Sequence, residues 1–163
     1  EDGERVPFRV TDTGLGGACE VEGLDYDATD AALLAACKTT RPDRDVLVVH
    51  RLPLDPTRGA LEPIEVPRSR LESVGLDPDF APSAILVDSW GTLVLASARS
   101  EALLEIDREG HVLSGRPLAR ARHPQVEGLA LTKDLALVLS DEKNGRDARI
   151  TVYSSRAGEG RAP

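Results

Sequence analysis

Two glutamates recur in one short context, Glu22-Gly-Leu-Asp-Tyr and Glu127-Gly-Leu-Ala-Leu. A related start, Pro82-Ser83, leads into Ala-Ile-Leu-Val. Two carboxylates and a hydroxyl delivered by different strands are hard oxygen donors. Calcium accepts such donors together with carbonyls and water in a flexible shell. The same residues have a plainer use, in which each Glu-Gly pair is a turn at the entry to a strand. There the carboxylate caps nearby amides and the glycine allows close backbone approach. Both uses need a fold that places the copies at equivalent positions.

A second set closes the following aliphatic segments: Lys38, Arg99 and the pair Asp141-Glu142. Set opposite the mouth that carries Glu22 and Glu127, these would form a mixed-charge ring suited to an acidic or zwitterionic ligand. Otherwise they are solvated strand ends whose ion pairs contribute little. In the stretch His-Pro-Gln-Val-Glu-Gly, Gln125 and His123 are further candidates to face the same space, although a histidine before proline also reads as an ordinary loop residue.

Other patterns carry less. Asp25, Asp27 and Asp30 have the alternation of a calcium loop but lack its glycine and its closing glutamate, so they read as a turn. The glycine-rich stretch around Gly14 to Gly17 lacks the lysine and hydroxyl of a phosphate loop. His50, His111 and His123 have no serine or cysteine at a recognisable nucleophile elbow. Cys19 and Cys37 are too few for a disulfide scaffold or a zinc site, which leaves open a single bridge between them.

The elements that must position these groups repeat. One unit runs from Glu-Gly-Leu-Asp-Tyr through Leu-Leu-Ala-Ala-Cys to Val-Leu-Val-Val-His-Arg-Leu; a second runs from Pro-Ser-Ala-Ile-Leu-Val, and a third from the second Glu-Gly-Leu. Taken alone, Ala31 to Lys38 has helical propensity. The equivalent segments in the other copies are short, rich in Leu and Val, and bounded by Ser89-Trp90-Gly91 and Asn144-Gly145, which is strand punctuation. Leu33 to Cys37 is therefore expected to be a strand. Weaker edge strands are expected over Glu62 to Val66 and over His111 to Leu118.

Antiparallel units of three or four strands recurring every ~45 to 60 residues are the pattern of β-propeller blades, with an unrelated β-sandwich as the alternative. The expected class is all-β. Residues 1–18 are a strand or linker, 19–156 hold about three four-stranded blades (19–66, 79–118 and 123–156), and 157–163 form a disordered tail. The long connection from Pro67 to Pro82 is expected to carry a short helix over a channel mouth.

Composition narrows the partners. The net charge of −8 would repel nucleic acid and anionic membrane surfaces. An aromatic content of 3% supplies little for stacking on bases or sugars. No apolar run approaches the ~20 residues of a transmembrane helix.

The strings Glu-Val-Glu-Gly-Leu-Asp-Tyr-Asp, Phe-Ala-Pro-Ser-Ala-Ile-Leu-Val-Asp with Glu-Ala-Leu-Leu-Glu-Ile-Asp-Arg-Glu-Gly-His-Val-Leu, and His-Pro-Gln-Val-Glu-Gly-Leu-Ala-Leu resemble the SdiA-regulated family of bacterial β-propellers, over about Cys19 to Tyr153. Relatives of that family include esterase-like phytase and strictosidine-synthase-like propellers. The resemblance implies part of a six-bladed ring whose first blades would precede Glu22, a periplasmic or otherwise exported setting, and calcium binding. The related gluconolactonase-type propellers hold a divalent cation on the axis with acid side chains, by analogy.

The expected function is then binding of a divalent cation at Glu22 and Glu127, with a small or peptide ligand at Ser83, Gln125, Lys38, Arg99, Asp141 and Glu142. Two alternatives stand beside it. One is a metal-dependent hydrolase of a phosphoester or lactone, with Glu22 or Glu127 as ligand or base. The other is an interaction module that recruits another chain, or a second copy as a homo-oligomer, along exposed blade edges.

Overall fold

The computed structural model describes residues 7, 8, 10–55, 57–143, 145 and 147–154. The expected tail at 157–163 and Asn144 of the third expected hairpin lie outside the described residues. The described chain is all-β, in three small antiparallel sheets. Sheet A contains β1 (Cys19–Asp27), β2 (Ala32–Thr40), β3 (Val46–Pro53) and β4 (Ile64–Pro67). Sheet B contains β5 (Ala84–Val87), β6 (Leu93–Ser97), β7 (Ala102–Ile106) and β8 (Val112–Pro117). Sheet C contains β9 (Val126–Leu131), β10 (Leu137–Asp141) and β11 (Arg149–Tyr153). Each is a meander in which consecutive strands pair. None of the described helices is long and apolar enough to cross a membrane.

The Ala-rich stretch with helical propensity is β2. Its small side chains are what the setting requires, since Ala32, Ala35 and Ala36 are all buried. Ala36 pairs with Gly23 on β1, at the place where β5 of the next sheet comes close. Packing against neighbouring sheets outweighs the local preference. Ahead of β1, the described part of 1–18 forms no strand; it has a single 3-10 turn at Leu15–Gly17. Cys19 and Cys37 are joined in a disulfide, with Cα atoms 5.5 Å apart.

The connection from β4 to β5 carries two 3-10 turns, Arg68–Arg70 and Glu72–Val74. It drives Leu71, Leu76 and Phe80 into the core between sheets A and B. Sheet B is apolar on both faces. Leu93, Leu95 and Leu104 meet sheet A, while Ala84, Ala96 and Leu103 meet Val126 and Leu139 of sheet C. That is why its strands read as nearly unbroken aliphatic runs.

Single polar side chains tie the sheets together. Asp25 Oδ2 accepts the Val87 N–H at 2.6 Å, linking β1 to β5. Asp27, only 2% exposed, takes both guanidinium nitrogens of Arg108 from the β7–β8 turn. Asp30 accepts from Arg51 and, at 3.3 Å, from Arg108. The three aspartates that alternate like a calcium loop are therefore committed to holding sheets A and B together. Ser83 does the same between sheets B and C, donating to the Val126 carbonyl at 2.6 Å.

Candidate functional site

Both Glu-Gly pairs lie inside a strand, and both glutamates are the extra residue of a β-bulge. On β1, Val21 faces Cys37 and Gly23 faces Ala36, so Glu22 has no opposite residue. On β9, Val126 faces Asp141 and Gly128 faces Ser140, so Glu127 has none. A bulge swings the unmatched side chain out of the regular alternation and re-aims it. The glycine that follows is required by crowding. A Cβ at Gly23 would sit 3.0 Å from Ala36 Cβ and 3.0 Å from Ile85 Cγ2, and one at Gly128 would collide with the Ser140 hydroxyl.

The two re-aimed glutamates line one pocket of about 200 Å³ with Lys38, Ser83, Arg99 and Gln125. Lys38 and Arg99, expected opposite this mouth, lie at it. In an antiparallel hairpin the second strand ends where the first begins, so the ends of β2 and β6 return to the starts of β1 and β5. The Lys38 ammonium is 2.7 Å from Glu22 Oε1 and 3.8 Å from Glu20 Oε1. The hydrogen bond to Glu22 raises its pKa above the ordinary lysine value, with Glu20 and Glu127 adding attraction. Gln125 Nε2 donates to Glu127 at 3.2 Å and to Glu142 at 2.8 Å. Burial raises the Glu127 carboxyl, and repulsion from Glu22 and Glu142 adds to this against the pull of Gln125 and Lys38. Arg99 makes no ion pair or side-chain hydrogen bond among the described residues.

The remaining candidates are occupied differently. Ser83 reaches the pocket wall, but its hydroxyl hydrogen is committed to Val126 O, and its oxygen accepts the Ala98 N–H at 3.1 Å. Asp141 is 3% exposed and lies behind the pocket; Oδ1 accepts the Gln125 N–H at 3.2 Å and Oδ2 meets His123 Nδ1 at 2.9 Å. His123 is buried in the β8–β9 connection, away from the pocket lining. A wider cleft of about 560 Å³ shares Lys38, Ala81 and Arg99 with the pocket and adds Arg41, Asp43 and Asp79.

Among the described residues, three-ligand groups with donor atoms within 4.8 Å are Cys19-Cys37-His50 and Asp107-Glu109-His111; Glu22 and Glu127 belong to neither. The first has its sulfurs in the disulfide. In the second, Asp107 already accepts from His111 Nδ1 at 2.7 Å on an exposed turn.

No family model matches the chain, and no curated protein matches it. A solved structure does. The crystal structure of a protein of unknown function from Bacteroides caccae is similar, with a TM-score of 0.54 and 14% identity over 88% of this chain. The chain spans about half of that structure, 49% of its length. At this identity the likeness concerns the fold alone.

Sequence reasoning found the two glutamates through their repeated context, and the glycine after each was the available sign of a bulge. It missed Arg108 and Arg51 as partners of the aspartates, and Tyr153 as the partner of His123.

Proposed function

We propose that the chain is a segment of a β-propeller of the kind the SdiA-regulated resemblance implies, in which sheets A, B and C are successive blades. We propose further that the mouth holding Glu22 and Glu127 binds a small zwitterionic ligand such as a short peptide. Three meandering sheets whose first strands β1, β5 and β9 contact one another in order support the blade reading. The observation that carries the binding reading is the pair of bulged glutamates turned into one pocket with Lys38 and with Arg99, which has no side-chain partner among the described residues. An ammonium would be met by Glu127 and Gln125, and a carboxylate by Arg99 and the wider cleft's Arg41. The disulfide supports an exported setting, because such bonds persist outside reducing compartments.

Calorimetric titration with alanyl-alanine tests this reading. Saturable binding is expected, weakened about tenfold or more by Glu127→Gln and by Arg99→Gln, since a charge-assisted hydrogen bond contributes ~1.5 to 3 kcal/mol. Affinity should also fall as acid protonates Glu127, and at a higher pH than for an ordinary glutamate because its pKa is raised. Binding that ignores both substitutions would remove the reading.

A second reading is favoured by the repulsion that Glu127 feels from Glu22 and Glu142, which a cation would relieve. Calcium would then displace Lys38 from Glu22. Against excess chelator, calcium should raise the melting temperature, since a ligand of the native state stabilises it by ~2.7 kcal/mol at a hundredfold excess over Kd. Loss of that rise in Glu22→Ala and Glu127→Ala would locate the ion; no rise in the parent chain would dismiss it. Phosphoester or lactone hydrolysis would rest on the same ion.

A further inference from the structure

A second cleft, of about 380 Å³, lies between sheets B and C and shares no lining residue with the mixed-charge pocket. Its walls are mainly apolar, with Leu103 from β7, Leu118 after β8 and Leu137 from β10. Two residues with polar side chains, Arg116 and Tyr153, also line it. This is the make-up of a small-molecule site, hydrocarbon walls with a few polar anchors and a volume within the usual ~300 to 1,000 Å³.

The anchors define the occupant. Tyr153 OH lies 2.5 Å from His123 Nε2, and His123 Nδ1 lies 2.9 Å from Asp141 Oδ2. A carboxylate accepts, so Nδ1 donates to Asp141, and Nε2 is hydrogen-bonded to the phenol hydroxyl. The tyrosine is therefore held by this chain as a fixed wall of the cleft. Arg116 is exposed and makes no side-chain hydrogen bond or ion pair among the described residues, which makes it the free side-chain donor of the cleft.

We infer that this cleft binds a small amphipathic carboxylate, with its hydrocarbon body against Leu103, Leu118 and Leu137 and its head group on Arg116. Charge complementarity selects an anion. The apolar lining selects a chain or ring without further polar groups.

The test is calorimetric titration of the full chain with octanoate and with 4-phenylbutyrate, which separate an aliphatic from an aromatic body, and with 1-octanol as the uncharged control. At least one carboxylate is expected to bind with Kd below about 1 mM. Arg116→Gln should weaken it about tenfold or more while leaving 1-octanol unaffected, and Ala119→Trp, at an exposed position on the rim, should block both. In amide spectra the shifts should centre on Leu118, Ala119, Leu137 and Tyr153. Absence of saturable binding by either carboxylate, equal affinity in Arg116→Gln, or shifts centred elsewhere would overturn the inference.

Discussion

Arg108 reaches across from the β7–β8 turn to a carboxylate that has almost no contact with water. Burial alone would raise the Asp27 pKa. The Arg108 guanidinium and the Thr29 N–H outweigh it, and the carboxyl ends below its ordinary value. A carboxylate with a lowered folded pKa stabilises the fold fully above its unfolded value, near 4, and loses that contribution as pH falls through the folded value. Arg108→Ala leaves Asp27 buried without its charge partner, which should cost about 3 kcal/mol at neutral pH. The loss should shrink as pH falls, because without Arg108 the buried Asp27 takes up its proton at a higher pH in the variant than in the parent, which relieves the uncompensated charge. Urea unfolding of the two proteins at pH 7 and pH 3 checks both the size and the sign, and an equal gap at both values would contradict the assignment. This pair is invisible in the sequence because its members are 81 residues apart. Glu22 and Glu127 were legible because the same three-residue context marks both.

At the scale of elements, the bulges on β1 and β9 explain why a glycine must follow each glutamate. Gly23 has ordinary backbone angles, and its constraint is space: an added methyl would press on Ala36, Ile85 and the Ala84 backbone, the last at 3.1 Å. Backbone cannot yield as a side-chain tip can. Gly23→Ala should therefore cost about 1 to 3 kcal/mol, whereas Gly59→Ala, where a methyl meets nothing within 4 Å, should be nearly neutral. Thermal unfolding of the two variants makes the comparison; similar losses would mean that the close approach of β1 and β5 is not what Gly23 serves. The strand character of β2 was legible only by comparison with the other copies. Its own residues favour a helix, and the demand for small side chains between sheets is tertiary information. The edge strands β4 and β8 were found within a few residues, since Gly, Pro and charged residues bound them. The disulfide could only be left open, because register, which sets Cys37 opposite Val21 and close to Cys19, cannot be counted from spacing when a bulge intervenes.

Across the whole molecule, the three sheets are unequal. Sheet B is covered on both faces, whereas Ile150 and Val152 on β11 of sheet C are 72% and 58% exposed. All-β architecture was legible from strand-sized aliphatic runs with turn residues between them. Which sheet would be the middle of the stack was legible only in part, as the density of Leu and Val in β6. Burial on two faces has a consequence in time. The amides of β6 are paired on both sides, to β5 and β7, and water reaches them only when two interfaces part together. Opening β11 exposes much less apolar surface. Hydrogen exchange followed residue by residue should therefore show β11 relaxing through small local fluctuations and β6 only through global unfolding, a spread set by the free energies of partial opening. Exchange at one common rate through β6 and β11 would mean that the sheets open as a single body, and that the molecule is more cooperative than its slender polar ties between sheets imply.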